Sequence, residues 1–82
     1  MRFRSKYIVI ERARLATPII FSETMGHDEM AAAVGGEVVG AGFCYISDDR
    51  YKCYGESVSL KIKSRGDVDA NILNLYLGTK ES

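Results

Sequence analysis

Residues 40–55 read GAGFCYISDDRYKCYG, and they decide the fold because two cysteines lie symmetrically about a polar centre. A turn at Asp48-Asp49 places Cys44 opposite Cys53 in a β-hairpin. The same register pairs Ile46 with Tyr51, Tyr45 with Lys52 and Phe43 with Tyr54. Because side chains alternate across a strand, the hairpin has two unlike faces. The small face carries Gly40, Gly42, Cys44, Cys53 and Gly55, and the aromatic face carries Phe43, Tyr45 and Tyr54.

The length of 82 residues indicates one small domain covering 1–82, with residues 1–5 and 79–82 expected to be frayed. A hydrophobic content of 46% with zero net charge argues against disorder. Residues 1–14 are basic and residues 15–60 are acidic. No apolar run is long enough to span a membrane, and the run after the basic start is too short for a signal peptide. We therefore expect a cytoplasmic protein with reduced cysteines.

Two further strands and a helix are predicted ahead of the hairpin. Residues 7–12 are rich in β-branched side chains, and residues 18–22 begin with Pro18, which suits an edge strand. A turn at residues 13–16 would pair Ile10 with Ile19 and Ile8 with Phe21, so that these four share one face. A short helix follows from Thr24 and is ended by Gly35-Gly36.

The second half repeats this order. Strands are predicted at residues 37–46 and from 51 to about 60, and a helix after the capping pattern that runs from Ser64 to Asp67. The helix would end at Gly78 and bury a stripe of Val68, Ile72, Leu75 and Tyr76, with Leu73 and Leu77 beside it. The predicted fold is therefore α+β, ββαββα, a four-stranded antiparallel sheet with both helices packed on one face. A helix on the small face would explain Gly40 and Gly42.

Few residues offer chemistry. Cys44 and Cys53 have the spacing for a redox-active disulfide, but two small packing residues are the favoured interpretation. His27 is expected at an exposed helix start, although a dyad with one of the cysteines stays open. The Asp48-Asp49 pair lacks the spacing of a calcium loop, and the glycines lack that of a phosphate loop. We predict no catalytic residue, no metal site and no cofactor.

The aromatic face is the main candidate for function. If the helices cover the small face together with Ile8 and Ile10, the aromatic rings point outward, with Tyr7 and Val9 beside them. Exposed aromatic clusters are typical of interfaces. The opposite arrangement, with the rings as core, stays open. The predicted interaction residues are Phe43, Tyr45, Asp48, Asp49, Lys52 and Tyr54.

Three short motifs resemble small proteins encoded by bacteriophages and prophages. They are Gly40-Ala41-Gly42-Phe43, the run GESVSL at residues 55–60, and Ser64-Arg65. The similarity extends from about Lys6 to Leu77. It implies a bacterial cytosolic setting and an accessory role, often exerted by binding a host protein, as anti-CRISPR proteins do. No catalytic residue is implied.

The predicted function is a non-enzymatic protein-interaction module that binds a host protein or itself, with a homo-oligomer expected and no membrane association. The acidic turn would favour a basic partner. One alternative is binding of single-stranded nucleic acid on a platform of Tyr45, Tyr54 and Lys52, which the acidic middle of the chain disfavours. Another is a thiol-dependent regulator acting through Cys44 and Cys53.

Overall fold

A four-stranded antiparallel sheet forms the centre of the computed structural model, which describes residues 4–78. The elements are β1 (Ser5–Arg12), β2 (Leu15–Phe21), α1 (His27–Val34), β3 (Glu37–Ser47), β4 (Arg50–Tyr54) and α2 (Asp67–Leu77). The strands lie in the order β2-β1-β3-β4, and the two helices pack against them. The predicted α+β class and the repeated strand-strand-helix order are confirmed. β1 begins inside the segment that was expected to be frayed, whereas residues 1–3 and 79–82 lie outside the described part.

The β3–β4 hairpin has all four predicted pairs, including Cys44 opposite Cys53, and Ser47 lies opposite Arg50 as a fifth. Asp48 and Asp49 have φ values of 55° and 64°, as the two central residues of a type I′ turn require. This turn type matches the twist of the flanking strands, which explains why a two-residue connection is sufficient here.

The register of the β1–β2 hairpin differs from the prediction by two residues. Ile8 lies opposite Ile19, not Phe21, and Ile10 lies opposite Thr17. The turn is shorter than expected because Ala13 and Arg14, with φ values of 51° and 69°, form a tight connection of their own. A shift of two residues leaves each side chain on its own face. The four residues predicted to share a face therefore still form one cluster with α1, namely Ile8, Ile10, Ile19 and Phe21.

The two helices lie on opposite faces of the sheet, and their predicted placement on one face is wrong. Met30, Ala31 and Val34 of α1 pack on the cluster of Ile8 and Ile10. Leu73 and Ile72 of α2 pack on the other cluster, formed by Tyr7, Val9 and Cys44. The cause is the register between β1 and β3, which pairs Tyr7 with Gly42 and so sets Tyr7 and Val9 on the small face. Tyr7 and Val9 are consequently buried, contrary to the prediction that they point outward.

Helix α1 begins three residues later than predicted and ends where the sequence indicated. Glu29 accepts a hydrogen bond from the backbone N–H of Gly26 at 2.7 Å, which stabilises the first turn. Gly35, with a φ of 81°, donates its N–H to Ala31 O at 2.9 Å and ends the helix.

The predicted strand from residue 51 to about 60 is wrong beyond Tyr54. Gly55 has a φ of 81° and turns the chain away from the sheet. A short separate ladder of β5 (Glu56–Ser57) and β6 (Ile62–Lys63) follows before α2.

Helix α2 buries only part of the predicted stripe, because Ile72 and the neighbouring Leu73 pack against the core while the rest of the stripe is exposed. Asp69, Ala70 and Leu73 are buried, whereas Val68, Leu75 and Tyr76 are at least half exposed. The helix begins after Gly66, and Ser64 accepts the N–H of Gly66 at 3.0 Å instead of capping the helix. As predicted, a helix covers the small face. The Asp69 carboxylate of α2 lies so close to Gly40 that any side chain at that position would collide with it.

Both edges of the main sheet are protected. The side-chain amide of Asn74 accepts the N–H of Tyr51 at 2.7 Å and donates to its carbonyl at 3.3 Å, so α2 occupies part of the β4 edge. Pro18 lies in the other edge strand, as predicted, and removes a backbone donor there. Such features hinder the addition of a further strand. No helix among residues 4–78 is both long and apolar enough to cross a membrane.

Candidate functional site

The predicted aromatic residues come together at one end of the sheet, on the side that carries α1. Cross-strand pairing sets Phe43 against Tyr54, with ring centres 5.9 Å apart. Tyr45 meets the edge of the Tyr54 ring at 5.8 Å and lies opposite Lys52. We call Phe43, Tyr45, Lys52 and Tyr54 the aromatic surface.

The aromatic surface is open to solvent to different degrees along its length. Tyr54 is 41% exposed and Lys52 is exposed, whereas Phe43 and Tyr45 are half-buried. The rings are therefore not the main core, which consists of the two clusters on either side of β1. Half-buried rings that support an exposed one are typical of an anchoring site for a partner.

Arg4 belongs to this site, although it was not among the predicted interaction residues. Its guanidinium carbon lies 4.1 Å from the centre of the Phe43 ring, within the range of a cation–π interaction. Its Nη1 donates to the hydroxyl of Tyr54 at 3.2 Å, and its Nε pairs with Glu23 at 3.1 Å. The hydrogen bonds with Tyr54 and Glu23 raise the pKa of Arg4.

Arg4 was missed because it lies in the terminal segment that was expected to be frayed. The available signal was the period of the strand: Ser5 lies opposite Cys44, so the residue before it falls beside Tyr45 on the aromatic side. Finding it required the β1–β3 pairing, which the sequence did not specify.

A cleft of about 410 Å³ lies next to these side chains. It is lined by Arg4, Tyr45, Cys53 and Tyr54. Aromatic walls with a few polar groups are characteristic of ligand and peptide sites.

The acidic turn is separate from the rings. Asp48 and Asp49 lie at the tip of the hairpin, about 10 Å along the strand from Tyr45 at 3.4 Å per residue. Of the six predicted interaction residues, the structure therefore brings together the four of the aromatic surface and places the two aspartates at its border.

His27 is buried, with 4% of its surface exposed, and not a surface residue as predicted. Its ring meets Phe21 and Phe43 edge to face, at 5.5 and 5.9 Å. Its Nε2 lies 2.9 Å from the carbonyl oxygen of Gly42, and since a carbonyl only accepts, Nε2 is the donor. The buried His27 ring thus packs against Phe43 and helps to hold it in place.

A catalytic dyad of His27 with either cysteine is excluded by this placement. His27 packs with Phe43 on the α1 side, whereas Cys44 belongs to the cluster under α2. The sheet lies between them.

Cys44 and Cys53 are free thiols that pack on the small face. Burial raises the pKa of Cys44 to about 11 and that of Cys53 to about 12. Because the thiolate is the reactive form, both thiols are weak nucleophiles at neutral pH.

A buried polar network under α2 was also missed. The Tyr7 hydroxyl donates to Asp69 at 2.5 Å and lies 2.7 Å from the hydroxyl of Ser64. Arg65 donates to Asp69 from its backbone N–H at 2.9 Å and from its Nε at 2.7 Å. Burial and the bond to Asp69 raise the pKa of Tyr7. The signal for this network was Gly40, which leaves room for the Asp69 carboxylate.

Within residues 4–78, no group of three or more His, Cys, Asp or Glu side chains is arranged to hold a metal ion. Comparison with protein-family models, with curated proteins and with solved structures finds no match for this chain.

Proposed function

We propose that this chain is a small non-enzymatic protein-interaction module whose partner binds the aromatic surface. The observation that carries the proposal is the cluster of Phe43, Tyr45 and Tyr54 around Arg4, beside an open cleft and outside both core clusters. Tyrosine and arginine are among the residue types enriched at the energetic centres of protein interfaces.

The proposed setting is that of a phage or prophage accessory protein in the bacterial cytoplasm. Its partner would be a host protein, and inhibition of a defence system such as CRISPR is one form of this role. The acidic turn of Asp48 and Asp49 at the border of the site favours a partner with basic groups.

Self-association is the second part of the proposal. Val68, Leu75 and Tyr76 form an exposed apolar side of α2, and Leu75 is 80% exposed. The described residues of α2 carry no charge after Asp69, so two copies of this helix meet without repulsion along most of its length. The protected edges disfavour association by strand addition, which leaves helix and sheet faces for the contact.

The test of self-association is the solution mass by light scattering across a concentration series. We expect a dimer that Leu75→Asp converts to a monomer. A wild-type mass that stays monomeric at the highest concentration overturns this part of the proposal.

The test of partner binding compares two exposed apolar residues. Tyr54 belongs to the aromatic surface, whereas Leu15 lies at the start of β2, outside both proposed surfaces, and is 63% exposed. Tagged wild type, Tyr54→Ala and Leu15→Ala are incubated with bacterial lysate, crosslinked and analysed by mass spectrometry. We expect one protein that wild type and Leu15→Ala retain and that Tyr54→Ala loses. The same set of proteins on all three baits contradicts the proposal.

Single-stranded nucleic acid is the second candidate ligand. The observation in its favour is that Arg4 and Lys52 accompany the exposed rings, as in stacking platforms. The ion pair of Arg4 with Glu23 argues against it, since that carboxylate repels phosphate. Salt-sensitive retention of an oligothymidine, lost in Tyr54→Ala, is the result that would favour this candidate over a protein.

A further inference from the structure

We infer that the aromatic surface is an arginine-recognition site and that Arg4 occupies it as an internal stand-in for a partner's arginine. The inference rests on the proposed function, because it names the side chain that the partner presents there. It also assigns Arg4 a regulatory role as a competitor for the site.

The contacts of Arg4 show what the site recognises. The guanidinium carbon lies over the Phe43 ring, one terminal nitrogen donates to Tyr54, and Nε pairs with Glu23. An aromatic face, a hydroxyl acceptor and a carboxylate are together the complement of a planar cation with several donors. An ammonium group has no planar face for stacking, so the site favours arginine over lysine.

The charges around the site favour a cation once Arg4 has left. Glu23 would lose its partner, and Glu56 lies near Phe43 in an adjoining groove that also includes Lys6. The ammonium group of Lys6 donates a hydrogen bond to the carbonyl oxygen of Met25 at 2.9 Å. Lys52 is the base of the aromatic surface, Glu56 lies opposite Lys63, and the bordering turn carries Arg50 beside its two aspartates. Glu23 is the acid in direct contact with Arg4, so it is the charge that the displaced Arg4 leaves unpaired.

Arg4 is placed so that a partner can displace it. It lies just before the first residue of β1, and the side chains of both Arg4 and Glu23 are nearly half exposed. Exposed ion pairs and cation–π contacts are individually weak, so an arginine supplied by a partner with additional contacts competes well.

The experiment compares wild type with Arg4→Ala and with the control Arg14→Ala. Arg14 is also an exposed arginine, but it lies in the β1–β2 turn, about 27 Å away along the eight residues of β1. The probes are N-acetyl-arginine amide, N-acetyl-lysine amide and an eight-residue oligothymidine. Binding is followed by the NMR shifts of the Tyr54 and Phe43 ring protons.

We expect Arg4→Ala to bind the arginine amide about tenfold more tightly than wild type and Arg14→Ala, with weaker binding of the lysine amide. The double variant Arg4→Ala/Tyr54→Ala should lose this gain. Equal arginine binding by all three proteins overturns the inference. Ring shifts with oligothymidine but not with the arginine amide overturn it too, and favour nucleic acid.

The outcomes separate this inference from the proposed function. A lysate partner that depends on Tyr54, without a gain of arginine binding in Arg4→Ala, leaves the interaction module intact and removes the arginine assignment. A gain of arginine binding without any Tyr54-dependent partner supports the site and contradicts the proposed function.

Discussion

Asp69 is the residue that determines how α2 sits on the sheet. Its side chain is fully buried, and it accepts hydrogen bonds from Tyr7 and Arg65. A buried carboxylate is tolerated only when such donors surround it. Gly40 provides the space, because any larger residue would collide with that carboxylate. This one contact turns α2 away from its most apolar side.

Gly40→Ala tests this contact. The added methyl group meets the Asp69 carboxylate, and overpacking of this kind lowers the free energy of unfolding by about 1–3 kcal/mol. Asp69→Ala is also destabilising, by about 2–3 kcal/mol, because Tyr7 and Arg65 lose a buried acceptor. In the double variant we expect a loss smaller than the sum, since the collision is gone. Urea unfolding of the four proteins gives the coupling, and strictly additive losses contradict the packing described.

The buried thiols predict a loss of stability at alkaline pH. Burial raises the pKa of Cys44 from 9.0 to about 11 and that of Cys53 to about 12. Above pH 9 the unfolded chain therefore releases these protons while the folded chain keeps them, which favours unfolding. The contribution of the two protonated thiols to the free energy of unfolding is complete below pH 9 and declines as the pH rises towards 11 or 12.

Urea unfolding at pH 7.5, 9, 10 and 11 measures this effect. The double variant Cys44→Ala/Cys53→Ala should lose less stability between pH 9 and 11 than wild type. Tyr7 and Tyr51 also have raised pKa values and are present in both proteins. Part of the loss of stability at alkaline pH should therefore remain in both. Parallel curves for the two proteins would show that the thiols are not buried as described.

At the level of secondary-structure elements, the contact between α2 and β4 protects the outer edge of β4 from pairing with a further strand. Asn74 satisfies both backbone groups of Tyr51, as a neighbouring strand would. Asn71 is exposed on the same helix and serves as the matched control.

Asn74→Ala should lower the free energy of unfolding by about 1 kcal/mol, because two hydrogen bonds are lost at a half-buried position. It should also increase self-association, since the β4 edge becomes available. Asn71→Ala should change neither property by more than a few tenths of a kcal/mol. Urea unfolding and light scattering report the two effects. Equal behaviour of the two variants contradicts the protective role of Asn74.

For the whole molecule, the symmetric hairpin and the order of the elements were predictable from the sequence, whereas the β1–β2 register, the capping of α2 and the pairing of distant strands were not. The β3–β4 register followed from the symmetry of Cys44 and Cys53, and the class of fold followed from the order of the elements. The side of the sheet on which each helix lies depends on the pairing of Tyr7 with Gly42, which joins distant segments. No local pattern specifies such a pairing.

The candidate site was also predictable only where its residues belong to one local unit of the chain. The rings of the β3–β4 hairpin were found because they belong to one local unit. Arg4 and Glu23 come from other strands or loops and join the rings only through tertiary structure. The apolar stripe of α2 was misleading for a different reason: a buried carboxylate outweighed the hydrophobic pattern.

We propose that the aromatic surface serves a partner and not the stability of the fold. The most direct measurement is the free energy of unfolding of Tyr54→Ala in urea, beside Leu73→Ala as a core reference. Leu73 is fully buried, so its variant should lose about 2–5 kcal/mol. We predict that Tyr54→Ala loses only about 1 kcal/mol and stays folded. A loss as large as that of Leu73→Ala would show that the ring is part of the core and would contradict the claim.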